Sequence, residues 1–212
     1  MARRILIVTA VQAEADAIGR PSGTLVVVGG IGRTNAAAAT TSAILSDGPF
    51  VWVLNAGVAG ALPQSNLLVG DIVVSNKCIY AEEGLMTQDG FQDMSRLGFS
   101  LGNFEGNEVP VDSWMLERLS LLGTVAPIAT VATCSGTDDQ AELVATRTGC
   151  VCEAMEGAAV VHAANRLNAP AIEIRAISNT TGNRNEQEWD LELAFKNLGH
   201  AVTDSIIALR GE

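Results

Sequence analysis

Residues 152–179 read CEAMEGAAVVHAANRLNAPAIEIRAISN, from Cys152 to Asn179, and this stretch decides the fold. Residues 157–167 are rich in Ala and Val and apolar on nearly every face, which predicts a buried helix. Asn168-Ala169-Pro170 stops that helix. Residues 171–177 are a short β-branched run, as a central strand would be. Polar side chains mark the two ends, Glu156 at the helix start and Asn179 just past the strand. In an open α/β sheet, strand ends and helix starts line the ligand crevice, so this pair brackets a candidate site.

Outward from that stretch, strand and helix signals alternate. Residues 3–11 read as a first strand and 12–18 as the start of a helix, which puts Glu14 just past a strand end. Taken alone, Glu14 reads first as a first-turn acid favoured by the helix dipole. A strand over 24–28 leads to Gly29-Gly30-Ile31-Gly32 and a helix over 34–45. The glycines fit neither GxGxxG nor a P-loop, so they read as close backbone packing. A strand over 51–54 runs into Asn55-Ala56-Gly57-Val58-Ala59-Gly60, where small residues suit either a backbone approach to a ligand or a tight turn. A fourth strand over 69–74 extends towards Tyr80. Residues 81–108 are polar, Gly-rich and aperiodic, the signature of a long loop that serves as lid or subunit contact. A helix over 114–122, a strand over 126–133 and the corner Cys134-Ser135-Gly136-Thr137 follow. Next come a helix over 138–148 capped by Thr137 or Asp138, a loop at 182–185 and an amphipathic helix over 188–209. Without repeats or linkers, residues 1–212 read as one domain.

Composition narrows the function. A hydrophobic content of 48% with 17% charged residues describes a globular protein. A formal net charge of -11 argues against nucleic acid or an anionic membrane as partner. No apolar run reaches spanning length, and the N-terminal MARRILIVTA reads as a strand rather than a signal peptide. Cys78, Cys134, Cys150 and Cys152 show no metal-binding spacing, and His162 and His200 are isolated. Reduced cysteines in a cytoplasmic protein, with no metal, are therefore expected.

Five blocks then occur in one order, together with Glu14: Gly30-Ile31-Gly32-Arg33, residues 55–60, residues 69–75, Met155-Glu156-Gly157-Ala158-Ala159 and Arg175-Ala176-Ile177-Ser178-Asn179. In these the chain resembles the nucleoside phosphorylase/nucleosidase superfamily, on its methylthioadenosine/S-adenosylhomocysteine nucleosidase branch. The resemblance covers most of the chain and is weakest over 81–125. In Glu153-Ala154-Met155-Glu156-Gly157 and in RAISN, where the methylthioadenosine enzymes have RAISD, the pattern comes nearest to the futalosine hydrolases. The resemblance implies an α/β fold, a three-layer αβα sandwich around a twisted mixed central sheet. It also implies a small-molecule nucleoside substrate, no cofactor, and a homodimer or higher homo-oligomer.

By that resemblance Glu14 orients and deprotonates a water, and Glu156 takes the ribose diol, as an acceptor-only carboxylate can. Met155 packs on the sugar, and Asn179 meets the base at N7 and the C6 substituent. Ser178 and Arg175 support these groups. Ala56 and Gly57 border sugar and base, and residues 133–137 form the base wall. Cleaving an N-ribosyl bond passes through an oxocarbenium-like sugar, which such a site would stabilise.

The chain departs from the family pattern at three places. Ala154 stands where the methylthioadenosine enzymes carry a second Glu, and no stacking aromatic is evident near Thr133. Asn179 replaces an Asp; its NH2 can donate to N7 or a 6-oxo oxygen but cannot protonate a leaving base, which favours hypoxanthine over adenine. The first loop, Ala10-Val11-Gln12-Ala13-Glu14, has no Gly, and no Arg precedes Asn55, so a water site fits better than a phosphate site. Arg33 stays open as an anion ligand or a solvated helix-start residue. The expected reaction is hydrolysis of a purine N-ribosyl bond. The alternatives are a methylthioadenosine/S-adenosylhomocysteine nucleosidase and a non-catalytic nucleoside-binding domain.

Overall fold

The computed structural model describes residues 4–211. All five residues of β1 (Ile5–Thr9) are buried, and their alternation shows how the layers form. Ile5 and Ile7 face one apolar cluster; Leu6 and Val8 face another. After β1 come α1 (Gln12–Ile18), β2 (Thr24–Val28), α2 (Arg33–Asp47), β3 (Trp52–Ala61) and β4 (Ile72–Tyr80). A small hairpin of β5 (Gly84–Thr87) and β6 (Gly90–Asp93) precedes β7 (Glu108–Pro110), α3 (Ser113–Leu119) and β8 (Thr124–Thr130). The chain ends through α4 (Asp138–Thr148), β9 (Cys152–Ala154), α5 (Gly157–Arg166), β10 (Ala171–Thr180) and α6 (Leu191–Arg210). Helices α1, α3 and α6 cover the Ile5/Ile7 face, and α2 and α5 cover the Leu6/Val8 face. This is the helix–sheet–helix arrangement expected from the sequence.

The sheet is mixed, in the order β10-β4-β8-β9-β3-β1-β2, with β7 added on β4. Strand β10 also pairs with β3, so β3, β10, β4, β8 and β9 close into a ring from which β1 and β2 extend. Helix α5 buries seven of its ten residues, which explains why its sequence is apolar on nearly every face. Helix α6 buries Ala194, Leu198, Ala201, Val202, Ser205, Ile206 and Leu209, a stripe at three- and four-residue spacing. Full burial of each large aliphatic side chain there contributes roughly 1.5–3 kcal/mol. Asp190 caps the helix by accepting from Leu193 N at 2.9 Å. No helix among the described residues is long and apolar enough to cross a membrane.

Several local expectations need correction. Residues 55–60 are neither a turn nor a loop: β3 runs through them, paired with β10 along nearly its whole length. Small residues are needed there because other side chains press onto the strand. Asn179 lies inside β10 rather than beyond it, and a bridge to Trp189 extends the pairing. Residues 152–154 form β9, wedged between β3 and β8 and too short to show a period. The segment over 81–108 contains the β5–β6 hairpin, whose glycines hide its alternation. Strand β4 starts at Ile72 rather than 69, and α6 starts at Leu191 rather than 188. The expected start of strand one at Arg3 lies outside the described residues.

Candidate active site

Four segments far apart in sequence meet where β1, β3 and β10 end against α1 and α5. Glu14, in the first turn of α1, is 2% exposed and turns back towards the sheet. Its Oε2 accepts from Ala10 N at 2.8 Å and Val11 N at 3.2 Å, and its Oε1 from Val58 N at 2.9 Å. A carboxylate offers about four lone-pair sites, so one position is left for a water. Glu156 sits at the N-cap of α5. Its Oε1 accepts from Gly32 N at 3.0 Å, and its Oε2 from Met155 N and Arg175 Nη2, each at 3.3 Å.

Arg175 ties these groups together. Nε donates to Glu173 Oε1 at 2.8 Å, Nη2 to Asn55 Oδ1 at 2.6 Å and Nη1 to the Val58 carbonyl at 3.3 Å. Asn55 in turn donates to the Val8 carbonyl at 2.9 Å, which links β1, β3 and β10. Burial alone would lower the Arg175 pKa. The carboxylates of Glu173, Glu156 and Glu14 outweigh burial and raise it above the ordinary arginine value. Gly57 makes this approach possible, because a methyl group there would collide with both Arg175 Nη1 and Glu14 Oε1. Three carboxylates thus stand around one guanidinium.

The other end of the site is neutral at its centre. The Ser178 hydroxyl lies 2.8 Å from Asn179 Oδ1 and 3.2 Å from the Ala59 carbonyl. Asn179 Nδ2 donates to the Thr180 carbonyl at 2.8 Å. A carbonyl can only accept, so it fixes which end of the amide is nitrogen and leaves one N–H for a ligand. Asn179 pairs in register with Gly60, which on its other edge pairs with Glu153. Glu153 Oε1 accepts from Ser135 N and Oε2 from Ser135 Oγ, both at 2.6 Å, holding the 133–137 corner against the sheet. Burial raises the Glu153 pKa, against the lowering from the Ser135 hydrogen bonds. Gln187 Nε2 donates to the Ser135 carbonyl at 3.1 Å and so straps the loop before α6 to the same corner.

Glu14, Gly57, Glu156, Arg175, Ser178 and Asn179 thus share one region. Met155 is half-buried beside Glu156, and the Ala56 methyl points into the hydrophobic core under α6. Arg33 is not a free anion ligand: it pairs with Glu83 through a hydrogen bond and with Glu82 at 3.8 Å. Glu173 and Gln187 are not among the residues expected from the sequence, and Glu153 enters there only as part of a motif. Glu173 had a signal, since an acid two residues before Arg175 shares its face of the strand. Glu153 had only its place in the Glu153–Gly157 pattern, since β9 is three residues long, and Gln187, in a loop, had none.

A family model described as the phosphorylase superfamily matches residues 18–210. The chain belongs to the phosphorylase superfamily. A futalosine hydrolase of Acidothermus cellulolyticus is 34% identical, with 95% of this chain and 89% of the relative covered. A futalosine hydrolase of Streptomyces coelicolor is 32% identical, with 93% of each covered. The solved structure of a futalosine hydrolase of Helicobacter pylori superposes with a TM-score of 0.80 at 18% identity, covering 97% of this chain and 98% of that one. That last likeness concerns the fold. Within the phosphorylase superfamily the chain is a nucleosidase, an N-glycosyl hydrolase.

Proposed function

We propose that the chain hydrolyses the N-ribosyl bond of futalosine, releasing hypoxanthine and dehypoxanthine futalosine, as a step of menaquinone biosynthesis. Asn179 is the observation that carries this reading. Its Nδ2 has one hydrogen left after the bond to the Thr180 carbonyl, and that N–H can reach N7 or O6 of a 6-oxo purine. A hydrogen bond that strengthens as charge builds on the leaving base acts in the transition state. Glu14 holds the attacking water at its free acceptor position and takes its proton. Glu156 accepts from the ribose hydroxyls and, with Glu14, places negative charge beside the oxocarbenium-like carbon. The pairing of Arg33 with two carboxylates supports water over phosphate as the nucleophile.

A homodimer or higher homo-oligomer in the cytoplasm completes the proposal. Leu85, Met86 and Phe99 are exposed within one segment, and Met86 also lines a cleft of about 690 Å³ together with Phe91 and Leu143. A second copy would cover that apolar surface. The described cysteines are all unpaired, in keeping with a reducing compartment.

The test is product analysis after incubation with futalosine, aminodeoxyfutalosine, inosine and methylthioadenosine, with and without phosphate. Futalosine is expected to give hypoxanthine and the free sugar at a phosphate-independent rate. Adenine nucleosides should be slower by roughly a hundredfold, as when polar groups are left mispaired. A sugar 1-phosphate as main product, or methylthioadenosine cleaved as fast as futalosine, would overturn the reading. Binding heat without any free base would identify a binding domain instead.

A further inference from the structure

Glu173 has no solvent-accessible surface, and the mechanism above does not use it. Its Oε1 accepts from Arg175 Nε, while its Oε2 has no hydrogen-bond partner. The carboxylate lies under the first residue of α5, where a methyl group on Gly157 would overlap it. Its backbone N–H donates to Ser75 Oγ at 3.1 Å, which fixes the strand beneath it. A buried ion pair is weak evidence for stability, since desolvation offsets much of the attraction. A role in geometry is the better account of why a charge is kept here.

Arg175 faces carboxylates on two sides, and it holds them unequally. The Nε contact to Glu173 is 2.8 Å, whereas the Nη2 contact to Glu156 is 3.3 Å. The short contact anchors the guanidinium, and the long one leaves Glu156 only loosely engaged. We propose that Glu173 is a positioning residue: it draws Arg175 away from Glu156, so that Glu156 keeps lone pairs free for the ribose hydroxyls. Without the Glu173 charge, the guanidinium closes on Glu156 and competes with the diol. This inference rests on the ribose-binding role of Glu156 proposed above.

The experiment compares kcat/KM for futalosine and 2′-deoxyfutalosine in wild type, Glu173→Gln, Glu156→Ala and the double variant. The ratio between the two substrates is a property of each active site, so a smaller folded fraction does not move it. Glu173→Gln should lower the ribosyl preference about tenfold, the scale of one hydrogen bond to a charged group, mainly through a higher KM for futalosine. In the Glu156→Ala background the same substitution should change the ratio no further. If Glu173→Gln yields no folded protein, Glu173→Asp, which retracts the charge by one methylene, should give the same fall. A loss of kcat equal for both substrates, with the ratio intact, marks a merely structural Glu173 and overturns the proposal. If Glu156→Ala itself leaves the ratio intact, the ribose assignment fails and this inference falls with it. If Glu156→Ala collapses the ratio and Glu173→Gln does not, only the role of Glu173 is wrong.

Discussion

On the function proposed above, the site has a sugar end and a base end, and the two are built on different principles. At the sugar end, Glu14, Glu156 and Glu173 surround Arg175, and every charged group is tied to backbone or to another charge. At the base end, Asn179 and Ser178 are neutral and each held by two hydrogen bonds, and Glu153 stands behind them gripping Ser135. The sugar end has to meet a positive charge that appears in every N-ribosyl cleavage. The base end has to tell one leaving group from another. Fixed charge serves the first task, and an oriented amide serves the second.

Substitutions at the two ends should therefore fail differently. The largest effect is expected at Glu14. Glu14→Gln should lower kcat about a hundredfold or more, as loss of a general base does. It should also destabilise the fold by about 1–3 kcal/mol, because an amide NH2 turned towards Val58 N or Ala10 N leaves a buried donor unmet. Turnover and urea denaturation measure the two parts; unchanged kcat would mean that the charge at this end is not catalytic.

A smaller change in rate and a larger change in choice are expected at the base end. Asn179→Asp should bring methylthioadenosine and futalosine to within about tenfold of each other, since a carboxylic acid can donate a proton to N7. The effect should be strongest at mildly acidic pH, and competition between the two nucleosides reads it. A variant that slows both substrates equally would erase the distinction between the two ends.

The smallest effect concerns Glu153. A carboxyl whose folded pKa lies above its ordinary value, 4.5 in this case, holds its proton more tightly folded than unfolded. The stability it contributes is present below 4.5 and is lost as pH rises through the folded value. Glu153→Gln keeps an acceptor for Ser135 and removes that titration. Wild type should lose stability relative to the variant as pH rises from 4.5 towards neutrality, in denaturation curves taken at each pH. Parallel curves would mean that Glu153 is not buried as described.

The sequence made the sugar end legible because its residues announce themselves by type and place. Glu14 follows a strand, Glu156 opens a helix and Arg175 stands out in an apolar run. The layers were legible for a similar reason: the Ala- and Val-rich α5 and the striped α6 carry their environments in their periodicity. What stayed hidden depends on pairing between distant strands. Apart from Val58, residues 55–60 lack the branched side chains that mark a strand, and Gly57 must stay bare to admit Arg175 and Glu14. Glu153 acquires a partner only through the corner at Ser135, and no local signal records that contact.

The ring of strands also bears on how the chain reaches this state. Strand β10 is the last to be synthesised, and it is the piece that joins β3 to β4. Until it arrives, the ring is open and the facing edges of β3 and β4 lack their neighbour. Such non-local closure is slow, and open edges meanwhile invite pairing with other chains. The same strand brings Glu173, Arg175, Ser178 and Asn179, so the site cannot be complete before the ring closes. In a refolding time course, turnover should therefore return only as this one strand pairs with its two neighbours.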